Sequence, residues 1–168
     1  YSGYIGGDKD DVGRGIAVDS AGCAYVAGWT TSAEVAFPVV AGPDLTHNGG
    51  IDELGNRLKD AFVAKVNAAG TSLLYVGFIG GGANDMAADI AVDANGNAYV
   101  TGHTWSTHAT FPVVVGPDLT SLGGDAFVAK IGPDGTELLY SGFIGGDGGD
   151  AGHEIAVDDV GSAYVTGV

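Results

Sequence analysis

Carboxylates are the groups in this chain whose type and spacing best suit chemistry. Asp11, Asp85 and Asp150 each stand five residues before an Ile-Ala-Val-Asp string. The Gly-rich stretches around them also carry Asp8, Asp10, Asn84, Asp89, Asp147 and Glu154. Hard oxygen ligands of this kind suit Ca²⁺, but an ion needs about six to eight oxygens, and only one carboxylate per stretch recurs. The same aspartates can instead accept hydrogen bonds from loop amides. Repetition at a fixed place favours that role, so no cofactor is expected, with Ca²⁺ at Asp11, Asp85 and Asp150 as the alternative.

Other reactive constellations are weaker. His47, His103, His108 and His153 recur at no common position, and a transition-metal site needs converging ligands, so they read as loop or surface residues. No Ser nucleophile elbow is present. Gly80-Gly81-Gly82 and Gly145-Gly146 lack the Lys-Ser/Thr that would make a phosphate loop. Paired carboxylates for glycoside cleavage rest on acidic abundance alone. No catalytic residue is assigned.

Composition narrows the partners. There are 6 Lys+Arg against 21 Asp+Glu, a formal net charge of −15. Nucleic acid needs cationic neutralisation, so no nucleic-acid partner is expected, and anionic membrane surfaces are poor partners. The acidity itself serves solubility. The single Cys23 rules out a disulfide within the chain and any Cys-rich zinc site. No apolar run is long enough to span a membrane. Glycine at 31 of 168 residues alongside 45% hydrophobic residues indicates many turns joining short apolar strands.

The elements that hold these residues are repeats. Ile16-Ala17-Val18-Asp19 recurs at Ile90–Asp93 and Ile155–Asp158. Asp60-Ala61-Phe62-Val63-Ala64-Lys65 recurs at Asp125–Lys130, Gly42-Pro43-Asp44-Leu45-Thr46 at Gly116–Thr120, and Tyr1–Gly7 at Tyr75–Gly81 and Tyr140–Gly146. All 7 Tyr and 6 Phe residues fall on repeated positions, as an inter-sheet core requires. Each unit reads as four short strands. The Ile-Ala-Val-Asp strand is followed by an Asp-x-x-Gly turn and then by a second strand such as Ala98–Thr104. A long loop holding Phe111-Pro112 leads to the third strand, Ala126–Ile131, and the hairpin Gly132-Pro133-Asp134-Gly135 to the fourth, Leu138–Ile144. The strand-and-turn series, with no helical period, predicts a radial array of small antiparallel sheets.

The ordered series Gly-Gly, Ile-Ala-Val-Asp, Tyr-Val-Thr-Gly, Phe-Pro, Asp-Ala-Phe-Val-Ala-Lys and Leu-Tyr-x-x-x-Ile-Gly-Gly resembles the bacterial SBBP β-propeller repeat family along essentially the whole chain. The resemblance implies a propeller of about seven blades in secreted or cell-surface proteins, often large and multidomain, with no general catalytic activity.

The chain is therefore read as all-β: a partial propeller of four-stranded blades, fewer than three in number. Residues 1–7 supply an outer strand of a preceding blade, 16–81 a blade, 90–146 a second, and 155–168 the first half of a further one. That is at least eleven strands, with no helix beyond about two turns. Closure needs more blades, so the chain reads as a fragment of a larger propeller or a unit completed by neighbouring subunits.

Breaks in the repeat mark candidate function. Trp29 stands where the next unit has His103, Trp105 where the previous one has Thr31, and the stretch 47–59 has no counterpart. Function favours loops and non-repeated exposed aromatics, so Trp29, Trp105, Ile51, Asp52 and Glu53 are the binding candidates. The function expected is a non-catalytic scaffold or binding module for protein or glycan, extracellular or on the cell surface. The alternative is a polysaccharide lyase or hydrolase with an axial active site that this chain does not complete. A nearly invariant first strand favours the scaffold.

Overall fold

The computed structural model describes all 168 residues, Tyr1–Val168. Its ten strands form two four-stranded antiparallel meanders and a two-stranded ribbon. The first sheet runs β1 (Asp11–Val18), β2 (Ala24–Thr30), β3 (Asp60–Val66), β4 (Leu73–Ile79). The second runs β5 (Asp85–Val92), β6 (Ala98–Thr104), β7 (Asp125–Ile131), β8 (Leu138–Ile144). β9 (Gly152–Val157) and β10 (Ala163–Gly167) make the ribbon. No helix occurs. β1 packs against β5 and β5 against β9, while the outer strands β4 and β8 make no comparable contact, so the sheets fan out from their first strands as propeller blades do.

Two expectations need correcting. Residues 1–7 form no strand, since none of the ten strands lies beside them to pair with, so the count is ten. The first strands also begin earlier than the Ile-Ala-Val-Asp string. Asp11 and Asp85 open β1 and β5 rather than lying on loops, and only Asp150 precedes its strand.

The earlier start is made possible by a bulge. Pairing runs Gly13↔Gly28 and then Gly15↔Ala27, leaving Arg14 unpaired. Ala88 is skipped in the same way between Ala87 and Asp89, and His153 between Gly152 and Glu154. The bulge presses the carbonyls of Val12, Met86 and Ala151 onto Gly28, Gly102 and Gly167, where any Cβ would overlap them. Only glycine fits, which is why a Gly recurs in each second strand.

The sheets pack through the repeated rings. Tyr25, Tyr99, Phe62, Phe127, Phe78 and Phe143 are all buried. Phe111, from the Phe-Pro loop, closes over Phe127 at 5.2 Å and Phe143 at 5.4 Å, and Phe37 sits likewise over Phe62 and Phe78. Polar latches then join blade to blade. The Tyr25 hydroxyl reaches its own blade's Asp19 Oδ2 at 3.1 Å and the next blade's Gly96 carbonyl at 3.2 Å. Tyr99 does the same with Asp93 (2.9 Å) and Gly161 (3.2 Å). Lys65 and Lys130 lie over these two rings, their ammonium groups 3.9 and 3.7 Å from Asp19 and Asp93. The other oxygen of each Asp accepts two amides of its own turn.

Phe127→Ala is expected to destabilise the chain by about 3–5 kcal/mol, since it empties a fully buried ring site. Tyr99→Phe, which removes only the latch hydroxyl, is expected to cost on the order of 1 kcal/mol. Urea titrations check both; a loss below about 1 kcal/mol for Phe127→Ala would overturn the packing described.

Candidate functional site

The bulges do more than shift register. They free one residue per blade from ladder pairing, and these are Arg14, Ala88 and His153, which share nothing in type. All three line a cleft of about 490 Å³ between the first strands, whose walls also include Trp29, His103 and Trp105. The structure thus brings together the two tryptophans singled out by their break from the repeat.

The geometry of the cleft follows from its strands. Trp29 and His103 are the penultimate residues of β2 and β6, opposite Val12 and Met86 of the first strands. Trp105 follows β6 and folds back so that its ring centroid lies 3.7 Å from that of His103. Trp105 remains half exposed. Lys59, the residue before β3, places its ammonium 4.4 Å from the Trp29 ring centroid, a cation–π contact. Trp29 Nε1 and His103 Nε2 are buried and have no hydrogen-bond partner. Burial holds the His103 imidazole below its ordinary pKa, against the opposing pull of Asp125 and Asp150, so it is neutral at pH 7.

The 47–59 candidates are not part of this cleft. Residues 51–57 form a small hairpin bridged Ile51↔Arg57. The Asp52 carboxylate accepts the Leu54 and Asn56 amides at 2.9 and 2.8 Å and the Asn56 side chain at 3.1 Å. Those bonds, the Asn56 side chain's foremost, hold its pKa low. Asp52 is thus committed to its own turn. Ile51 and Glu53 are exposed, and Ile51 borders a separate hollow with Lys9 and Arg57.

Asp11, Asp85 and Asp150 do not converge, and no three metal-ligating side chains gather anywhere in the chain. Each folds back on the Gly-Gly pair before it: Asp11 accepts Gly7 N at 2.7 Å, Asp85 accepts Gly81 N at 2.7 Å, and Asp150 accepts Gly146 N at 2.9 Å. Hydroxyls from the second strand and the residues after it, Thr30 and Ser32 or Thr104 and Ser106, complete the first two.

Residues 1–34 and 74–108 match the family model of the SBBP β-propeller repeat. These two stretches are similar to the SBBP repeat. No curated protein matches it. The second SBBP match runs from the fourth strand of one blade through the junction to the second strand of the next. Each matched stretch contains a Gly-Gly/Asp contact, a bulge and a Tyr-Asp latch, and ends just beyond its tryptophan.

Of the histidines, His103 departs from the loop or surface expectation, being a half-buried residue of β6. His47 is a loop residue as expected but is buried, its Nε2 3.2 Å from the Thr30 carbonyl and its ring 5.5 Å from that of Phe78. Sequence reasoning passed over Arg14 and set His153 aside as a loop or surface residue. The available signal was that Arg14, Ala88 and His153 occupy one repeat position yet differ in charge and size. Lys59 lay at the end of the non-repeated stretch, but its contact with Trp29 was hidden, because the two are distant in sequence.

Removing the ring that covers His103 should bring its titration back toward the ordinary imidazole value. In Trp105→Ala an upward shift is expected by NMR titration, with His103 still mostly neutral at pH 8. An unchanged midpoint would show that the burial comes from elsewhere.

Proposed function

We propose that the chain is a non-catalytic binding module of a secreted or cell-surface bacterial protein, and that it takes a glycan in the cleft between Trp29 and Trp105. The observation carrying this reading is the meeting of two non-repeated tryptophans in a cleft floored by residues that the bulges release from structural duty. Aromatic faces suit the apolar faces of sugar rings, and an exposed ring beside polar groups is typical of recognition sites. The SBBP repeats support the extracellular setting. No helix is long and apolar enough to cross a membrane.

The ribbon β9–β10 offers an unpaired edge and an apolar hollow beside β8. Its third and fourth strands come from the remainder of a larger propeller chain or from a neighbouring subunit.

One observation favours a second reading, a polysaccharide lyase or hydrolase. The first strands are not uniform after all: Arg14, Ala88 and His153 vary where an axial site would need variation, next to His103. A single experiment separates the two readings. Affinity electrophoresis against a panel of soluble neutral and acidic polysaccharides is expected to retard the protein with at least one of them. Trp105→Ala should weaken that binding roughly tenfold, about 1.4 kcal/mol. New reducing ends or unsaturated products would favour the enzyme, and no retardation by any polysaccharide would refute glycan binding.

Asp11, Asp85 and Asp150 act in this reading as amide acceptors, without a bound ion. Excess Ca²⁺ should leave the melting temperature unchanged. A chelator-reversible rise of several degrees would instead establish metal binding by mass action.

A further inference from the structure

Asp60 opens β3 and is fully buried, yet only one of its carboxylate oxygens has a partner. Oδ2 accepts the Asn48 amide at 2.7 Å, and Oδ1 accepts nothing. Oδ1 is turned toward the next blade. It lies against Gly80, where any Cβ would overlap it, and Asp85 Oδ2 stands 2.9 Å from that same point. Asp85 is itself buried and already well supplied with donors: Gly81 N at 2.7 Å, the Ser106 hydroxyl at 2.8 Å and the Thr104 hydroxyl.

No cation neutralises this pair. The charged groups acting on Asp60 are Asp85 across the seam and Asp44 on the loop before it. His47, on that same loop, turns its Nε2 to the Thr30 carbonyl. Lys59, the preceding residue, carries its ammonium away to Trp29 and Met86. From β2 comes only Thr30, whose hydroxyl is given to Asp11. Two carboxylates side by side in a dry seam cannot both ionise. One of them has every donor it needs, and the other has a bare oxygen facing it.

We propose that Asp60 keeps a proton at neutral pH and donates it to Asp85, so that a single shared proton clasps one blade to the next. At the following junction only the placement is repeated: a Cβ on Gly145 would overlap Asp125 Oδ1 and would lie 2.9 Å from Asp150 Oδ2, but Asp150 is half-buried and Asp125 Oδ1 is not an orphaned buried atom. Burial, the largest influence on Asp60, also drives its pKa well above the ordinary carboxylate range. The folded chain holds a proton that the unfolded chain has released, so the stabilisation is full below the ordinary Asp value of 3.8. It is lost as pH rises through the elevated folded value. The clasp is therefore an alkali-sensitive joint within an acidic protein, and it is independent of any ligand in the cleft.

Infrared spectroscopy and thermal melts of the whole chain test it. The wild type is expected to show a protonated-carboxyl C=O band at about pH 7, with a melting temperature that declines as pH rises above the ordinary Asp value of 3.8. Asp60→Asn, whose amide donates at every pH, should lack the band and flatten that decline. Asp85→Asn gives a second readout, because its amide donates to Asp60, which then ionises, and the band disappears. Absence of the band in the wild type overturns the proposal even if Asp60→Asn fails to fold. So does a band that survives both substitutions, or an unaltered pH slope in Asp60→Asn.

Discussion

The structure depends on what passes between blades. A four-stranded sheet of seven- and eight-residue strands cannot bury either face alone, so each repeat is stable only through its neighbours. Rings supply the bulk of that contact, but rings slide. Registration comes from side chains that reach across to backbone: the Tyr25 hydroxyl to Gly96, Lys65 to the Pro133 carbonyl at 3.4 Å, and Asp89 to the Ile155 amide at 3.0 Å. Backbone acceptors and donors stay in place whatever residue stands there, which lets one latch design be copied along the chain while loops diverge.

The same economy explains the scarcity of cations. With 6 Lys+Arg in the chain, two lysines are used identically, over Tyr25 and Tyr99, and a third covers Trp29. Acidic groups are not left in a sea of repulsion, since Asp19, Asp93 and Asp158 each accept two amides of their own turns. Hydrogen bonds from fixed amides stabilise carboxylates locally without counter-charges, so a strongly anionic chain can still pack tightly.

Much of this was legible from spacing. The strings Ile-Ala-Val-Asp and Asp-Ala-Phe-Val-Ala-Lys marked strands, and the recurrence of Tyr and Phe marked the core, because packing demands the same size at the same place; Tyr1, Tyr4 and Tyr164 are the exceptions and are exposed. The bulge was hidden, since Gly13-Arg14-Gly15 alternates no differently from a regular strand and its cause, the carbonyl of Val12 against Gly28, is a backbone clash. The first strands were accordingly read too short. Residues 1–7 failed for the opposite reason: their pattern is that of Tyr75–Gly81, but a pattern becomes a strand only when a partner edge is beside it. Trp29 and Trp105 were visible as exceptions. Their meeting was not, because it depends on how two sheets converge. The pairing of Asp60 with Asp85 was equally out of sight, as each looked like an ordinary member of its own repeat.

The skipped residue in each first strand has an evolutionary consequence. A position that neither pairs in the ladder nor packs in the core can change identity freely, and here it has become Arg, Ala and His in three successive copies. Duplicating a blade thus duplicates a blank slot as well as a scaffold. A ring assembled from such units would display one independently editable side chain per blade around its centre. Its specificity could then be rewritten one letter at a time while every structural residue of the repeat stayed the same.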